Sequence, residues 1–343
     1  MNGVRAMSVK QSVLVVGGAG YIGSHCCKAL AEAGFEPVCY DNLSTGHANF
    51  VQWGPLVEGD LHDTSKIASV LRKHEALAVM HFAAFSAVGE SVADPQKYYV
   101  NNIGGTLALL SAMNEAGCRS LVFSSTGAVY GDAGRDPIRE TDAGRPVNPY
   151  GRSKWMIEQI LSDYRSAYRL NSICLRYFNA CGADAACTIG ELRDSETHLI
   201  PRALMALQGY VPDFAIFGED YETPDGTAIR DYIHVSDLAE AHVVALNRLL
   251  SGEPGGAFNL GTGIGYSVKQ ILEAVLTETG KAVPVTIRER RAGDPPTLVA
   301  DVTRSEGVLG FKASRSDIGN IVRSAWAWHQ KAHPVRVNSV AGT

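Results

Sequence analysis

Short apolar runs alternate with longer amphipathic ones through the first half of the chain. "SVLVV", "PVCY", "PLVEG", "LAVMHFAA", "SLVFSS" and "SICLRYF" have the length of strands. Between them lie "YIGSHCCKALAEAG", "TSKIASVLRKHE", "DPQKYYVNNIGGTLALLSAMNEAG" and "NPYGRSKWMIEQILSDYRSAYRL", each long enough for a crossover helix. Strands buried on both faces show no polar alternation, so this beat predicts a parallel, doubly wound α/β sheet with helices on either side. The beat stops near Gly182, where Pro, Gly and polar residues become more frequent. A helical "SDLAEAHVVALNRLL" and a strand-like "GAFNLG" around Phe258 then return toward the first sheet. The expected organisation is a main domain over residues 9–182, rejoined by 233–262, with a smaller interleaved α/β domain from 183–232 and 263–335.

Composition narrows the possible partners more than the fold. The 343 residues are 45% hydrophobic and 20% charged, with a net charge of -5, the profile of a soluble chain with a large core. No long Lys/Arg block exists, which argues against nucleic acid or an anionic membrane as the main partner; only "RERR" at Arg288 to Arg291 is locally basic. Seven scattered cysteines without a CxxC pair give neither a disulfide framework nor a zinc site. The histidines show no HExxH spacing, so no metal is expected. The start, "MNGVRAMSVKQ", lacks an apolar signal core, and the expected location is cytoplasmic.

The first strand leads into "GGAGYIGSH", with Gly17, Gly20 and Gly23 spaced GxxGxxG. A tight turn, a close backbone approach and close helix packing each need a position without a side chain, and the new helix offers free N–H groups to a pyrophosphate. A P-loop is excluded because Ser24 stands where a Lys is required. Asp41, ending the second strand, can accept hydrogen bonds from an adenosine ribose and repels a 2′-phosphate, which favours NAD over NADP; it also fits a turn aspartate. Asp60 follows the third strand and Phe82, Ala83 and Ala84 the fourth, again at carboxyl ends that border a ligand crevice.

The fifth strand ends in Ser124, Ser125 and Thr126, and Tyr150 and Lys154 follow in "NPYGRSK". On a helix, residues four apart share a face. Hydroxyls at strand ends often serve only local hydrogen bonds, and YxxxK occurs in many solvated helices. Beside a nicotinamide crevice the pair has chemistry: a phenol with a pKa of about 10 becomes a usable general base once positive charge stabilises its phenolate.

Together these features resemble the extended short-chain dehydrogenase/reductase superfamily and, within it, the epimerases that act at C4 of UDP-hexoses. The similarity runs through "DNLSTG", "VEGDLHD", "AVGESV", "YYVNNIGGTL", "FSSTGAVYG", "LRYFNACGA", "IFGEDYETPDGTAIRDYIHVSDLA", "FNLGTGIGYSV" and "RRAGDPPTLVAD". It implies a Rossmann-type NAD-binding domain and a UDP-sugar-binding domain. It further implies interconversion of UDP-galactose and UDP-glucose through tightly held NAD, a 4-keto intermediate and hydride return to the opposite face. Tyr150 would be the base, with Thr126 as bridging hydroxyl and Lys154 beside them. NAD would lie against Gly17, Gly20, Tyr21, Ile22, Gly23, Asp41, Asn42, Asp60, Leu61, Phe82, Ala83, Ala84, Ser86, Asn101, Tyr150, Lys154 and Phe178. Thr126, Asn179, His198, Leu199, Phe217, Arg230, Arg291, Asp294 and Leu298 would meet the UDP-sugar, the two arginines as pyrophosphate ligands. A homodimer would form through the long helices after Asp94 and Asn148.

Three positions depart from that pattern. Ser86 replaces a common lysine, His198 occupies an asparagine-like position, and Leu298 stands where relatives carry tyrosine or a small residue; plain UDP-hexoses are therefore expected to be preferred to N-acetyl forms. A dehydratase would carry carboxylates immediately after the threonine, where this chain has Gly127 and Ala128. A UDP-glucuronate 4-epimerase, or another superfamily member acting on a nucleotide sugar, remains an alternative. A non-catalytic NAD-binding regulator would be expected to lose Tyr150 or Lys154, and both are present.

Overall fold

The computed structural model describes residues 11–133, 137–291 and 294–333; the expected domain limits at residues 9 and 335 lie outside them. Six strands follow the six apolar runs: β1 (Ser12–Val16), β2 (Glu36–Asp41), β3 (Leu56–Glu58), β4 (Ala78–His81), β5 (Ser120–Thr126) and β6 (Asn171–Tyr177). After them come β7 (Asn179–Cys181), β8 (Phe214–Phe217), β9 (Ile229–His234), β10 (Gly256–Leu260), β11 (Gly265–Ser267), β12 (Val285–Arg288) and β13 (Thr297–Leu298). The helices are α1 (Tyr21–Glu32), α2 (Thr64–Lys73), α3 (Val88–Ala93), α4 (Pro95–Tyr98), α5 (Gly105–Ala116), α6 (Pro149–Tyr168), α7 (Leu199–Leu207), α8 (Val235–Leu250), α9 (Val268–Thr279) and α10 (Ile318–Ala332).

The main sheet has seven parallel strands in the order β10-β6-β5-β4-β1-β2-β3. Every residue of β1 is buried because its two faces serve two cores. Val13 and Val15 pack with Leu30 of α1 and Leu238 and Leu246 of α8. Leu14 and Val16 face the other way, toward Ile67 of α2, Leu109 of α5 and Ile157 of α6. The sequence leaves β1 in one direction toward β2 and β3, then resumes at β4 in the other. That reversal places the open crevice at the carboxyl ends of β1 and β4.

The later part of the chain builds β11-β9-β13, with β7 also on β9, and a separate β12-β8 pair. Leu204 of α7, Ile271 of α9 and Ile321 of α10 close a second core there. Strand β10 leaves this region and pairs with β6.

One predicted helix is broken. The stretch from Asp94 to Gly117 divides into α4, a π-helical turn over Tyr99–Gly104, and α5. Thr106 Oγ1 donates to Asn102 O at 2.6 Å, a side-chain bond that holds the widened turn. The turn aims Asn102 inward, where it accepts from Phe85 N at 3.0 Å and donates to Phe85 O at 3.1 Å and Ser153 Oγ at 3.2 Å. The loop after β4 is thereby fixed to α6. Single-turn π segments frequently serve such a positioning role.

Candidate functional site

The glycine-rich turn forms first, from backbone constraints. Gly17 has φ +82° and a Cβ there would lie 2.5 Å from Ala83 N; one on Gly23 would lie 2.1 Å from Gly17 O. Both positions are glycine because the protein's own chain passes them. Gly20 differs: its nearest neighbour would be 3.4 Å away, so internal packing does not demand its bareness. It caps α1 without a side-chain bond, and the first turn carries no acid. The leading amides of α1 are available to an external anion, which is the fit a dinucleotide pyrophosphate requires.

Around that turn, Asp41 accepts from Ala19 N and Leu43 N, each at 2.9 Å. Its turn role is thus built in, with further lone pairs left on both oxygens. Asp60 accepts from His62 N and Nδ1 at 2.9 Å and from Asn42 Nδ2 at 3.1 Å; these contacts, the His62 bonds foremost, hold its carboxyl below the usual range. Leu61 is buried under Gly105, where a Cβ would meet its side chain at 2.5 Å. Tyr21 donates to Gly182 O at 2.6 Å, and Ile22 packs against the core. Phe82 packs on His242 with ring centres 4.8 Å apart. Ala83 and Ala84 continue from it, with Ser86 next to the Phe85 that Asn102 holds; Asn101 Nδ2 donates to Asn102 Oδ1 at 2.9 Å. Phe178 stacks on Tyr130 at 6.4 Å.

The reactive trio assembles where β5 meets the start of α6. Asn148 Oδ1 caps α6 by accepting from Gly151 N at 2.8 Å, and Pro149 opens the helix. A Cβ on Gly151 would lie 2.5 Å from Ala128 O, so glycine lets the helix start abut the turn that follows Thr126. The Tyr150 phenol consequently shares a hydrogen bond with the Thr126 side chain. Lys154 is buried, donates Nζ–H to Ser124 O at 2.9 Å and stands 4.8 Å from the Phe123 ring centre.

The electrostatics depart from the simple expectation. Burial raises Tyr150 above the ordinary phenol value, while the Thr126 bond and the Arg193 charge pull it down. Lys154 is itself lowered by burial to about 7, with Glu158 one turn on opposing the shift. The Lys154 ammonium therefore engages a carbonyl rather than the phenol, and Arg193 supplies the protein cation that acts on Tyr150.

The positions expected to meet a sugar nucleotide form several small sets. Asn179 Nδ2 donates to Asp231 O at 2.9 Å, fastening β7 to β9. Arg230 is paired with Asp294 and donates to Pro295 O at 2.9 Å. The Arg291 guanidinium lies 3.9 Å from the centre of the Phe217 ring. Leu298 pairs in register with Arg230 and, like Phe178, packs against the buried cluster of Val129, Tyr130 and Ile138, which brings it near the turn that follows β5. His198 caps α7 and Leu199 begins it.

Four groups escaped the sequence reading. Arg193 Nε donates to Glu191 Oε1 at 2.9 Å. Tyr177 and Ser124 share a hydroxyl bond of 2.5 Å. Asn102 ties the loop after β4 to α6, as described. Glu158 is held by Arg176 through Nε at 3.0 and 3.1 Å and Nη2 at 2.5 Å, and receives Ser125 Oγ–H at 2.5 Å.

Comparison with known proteins gives a consistent picture. The model of the NAD dependent epimerase/dehydratase family matches residues 13–261. A UDP-glucose 4-epimerase of Rhizobium leguminosarum bv. trifolii is 51% identical over 94% of this chain and 98% of its own length. The crystal structure of UDP-glucose 4-epimerase from Brucella ovis in complex with NAD superposes with a TM-score of 0.91 at 52% identity, covering 92% of this chain and 98% of that one. The Stenotrophomonas maltophila enzyme with bound NAD and formylated UDP-arabinopyranose also reaches 0.91, at 40% identity over 94% and 98%.

Proposed function

Because the chain belongs to the NAD dependent epimerase/dehydratase family, we propose that it interconverts UDP-galactose and UDP-glucose by inverting C4 of the hexose. What chiefly supports this reading is the placement of Thr126, Tyr150 and Lys154 at the carboxyl edge of a sheet whose glycine-rich turn leaves free amides. Bound NAD supplies the group that takes hydride from C4 and gives it back. Tyr150 takes the proton of the 4-hydroxyl and returns it when the sugar presents its other face. Thr126, bonded to the phenol, is the hydroxyl through which that proton is shared. Lys154 holds the floor of the site through Ser124, and Arg193 offsets the cost of charging a buried phenol.

Gly17, Gly20 and Gly23 receive the pyrophosphate, Asp41 the ribose, and Arg230 and Arg291 the diphosphate of the sugar nucleotide. Binding must anchor the UDP more firmly than the hexose, since a ring held too tightly cannot turn. A homodimer completes the reading. Val100, Leu107 and Met156, on the helical stretches after Asp94 and Asn148 that the resemblance assigns to pairing, and Val88 and Val92 on α3 just before them, are apolar and between 40% and 63% exposed.

The decisive assay incubates the purified chain with UDP-galactose and no added cofactor. UDP-glucose is the expected product, and Tyr150→Phe should reduce kcat by roughly 10²- to 10⁴-fold, the usual worth of a general base. No conversion even with NAD⁺ added would overturn the assignment, and turnover of UDP-glucuronate alone would move it to the uronate.

A further inference from the structure

His198 heads α7 on the segment that carries Arg193 past Tyr150. Its Nδ1 lies 2.9 Å from Glu196 Oε1 and 3.1 Å from Glu191 Oε1. The two carboxylate side chains are 4% and 6% exposed, whereas the imidazole is 45% exposed. Glu196 Oε1 is fixed further by Thr197 N and His198 N, both at 2.7 Å. Nε2 has no hydrogen bond among the described residues.

A nitrogen facing two carboxylate oxygens must carry a hydrogen. A neutral imidazole has only one N–H, so in that state Nε2 presents a lone pair. Protonation alone makes Nε2 a donor. The charge count agrees: with an imidazolium, His198 and Arg193 balance Glu191 and Glu196, whereas a neutral ring leaves the cluster with one excess negative charge. Beside it, α7 begins without a side-chain cap and without an acid in its first turn, a second feature that favours an anion.

We propose that His198 recognises the diphosphate of the sugar nucleotide as an imidazolium, with Nδ1–H engaged by Glu191 and Glu196 and Nε2–H given to the anion, so that deprotonation switches off substrate affinity. This rests on the reading that His198 borders the substrate. An asparagine at the same position would donate at every pH; histidine makes the contact conditional.

The surroundings leave His198 as the group that titrates. Burial opposes its charge, and Glu191 followed by Glu196 outweighs that, carrying the ring up to about 9. Tyr21, facing from α1, is driven well above the ordinary phenol value by burial. From α10, His329 is lowered by burial to about 4 and His333 is lowered as well, so both stay neutral at alkaline pH. Glu191 is held ionised by His198 and Arg193. The contact is present below the raised value and is lost as the pH climbs through it.

Calorimetry of UDP-glucose binding to the NAD-loaded protein, from about pH 7 to about pH 10, tests this against His198→Asn. Ionisation of the uracil is common to both and cancels in the comparison. The unmodified chain should lose about tenfold or more in affinity over that range relative to the variant, the value of a charged hydrogen bond. Glu196→Gln should move the inflection to lower pH, a shift that a purely structural role for Glu196 would not produce. Parallel pH slopes for the chain and His198→Asn, in a protein that epimerises UDP-galactose, overturn the inference alone. Absence of epimerisation overturns the underlying assignment instead.

Discussion

At the scale of single residues, the site is governed by which group each charge actually meets. Lys154 was expected to act on the phenol, four residues away on the same helix face. Its ammonium instead donates to the Ser124 carbonyl, and the charge that pulls the Tyr150 phenol down is that of Arg193, forty-three residues further along. Helical spacing puts two side chains on one face but does not decide where a flexible one ends. Leu298 illustrates the same principle for shape. Packed against the cluster of Val129, Tyr130 and Ile138, it fills space near the end of β5 without a polar demand. Leu298→Ala should open that wall and raise kcat/KM for UDP-N-acetylglucosamine relative to UDP-glucose. One methylene-sized change in a pocket is worth about 1–3 kcal/mol, so roughly tenfold or more is expected. Equal ratios for the two proteins, measured side by side, would count against Leu298 as the wall.

At the scale of elements, α6 is the part on which the chemistry hangs, and a buried ion pair fixes it. Arg176 of β6 and Glu158 of α6 are 6% and 5% exposed and bonded through Nη2 and Nε. Arg176 also donates to Tyr130 Oη at 2.8 Å, and Glu158 receives Ser125. Removing one member leaves a buried charge without compensation, so Glu158→Ala should lower the unfolding free energy by about 3–5 kcal/mol. Denaturant melts would record it, and a change within error would show that α6 is held by its apolar face alone. The strands of the main sheet, their parallel pairing, the glycine turn and the helical start at Tyr150 were all readable from local periodicity, because burial on two faces and backbone crowding leave local marks. The Glu158–Arg176 pair, the Asn102 clamp and the cluster around His198 were not, since each joins segments far apart in sequence and a polar residue in a row does not announce its partner. The loop from Gly182 to Leu199 was especially opaque: it has no period to read, although it carries both Arg193 and His198.

At the scale of the whole molecule, among the described residues no helix is long and apolar enough to cross a membrane. Some of the exposed apolar positions lie on neighbouring helices: Val88 and Val92 one turn apart on α3, Leu107 on α5 and Met156 on α6. Singly they are ordinary; as a group they are where the proposed dimer would pair. Light scattering should give twice the chain mass, and Val92→Glu should reduce it toward the monomer while UDP-galactose turnover by each subunit changes much less. A monomer at every concentration for the unaltered chain would remove the dimer.

Strand β10 has a consequence during synthesis. It closes the side of β6 opposite β5, yet it is made some eighty residues later than β6, after the segment that builds β7, β8 and β9. Until Gly256–Leu260 emerges, a growing chain offers an unfilled row of backbone donors and acceptors along the strand that precedes Phe178. A product released too early would be sticky as well as inactive, so the route by which this chain is completed is bound to the soundness of its first-made half.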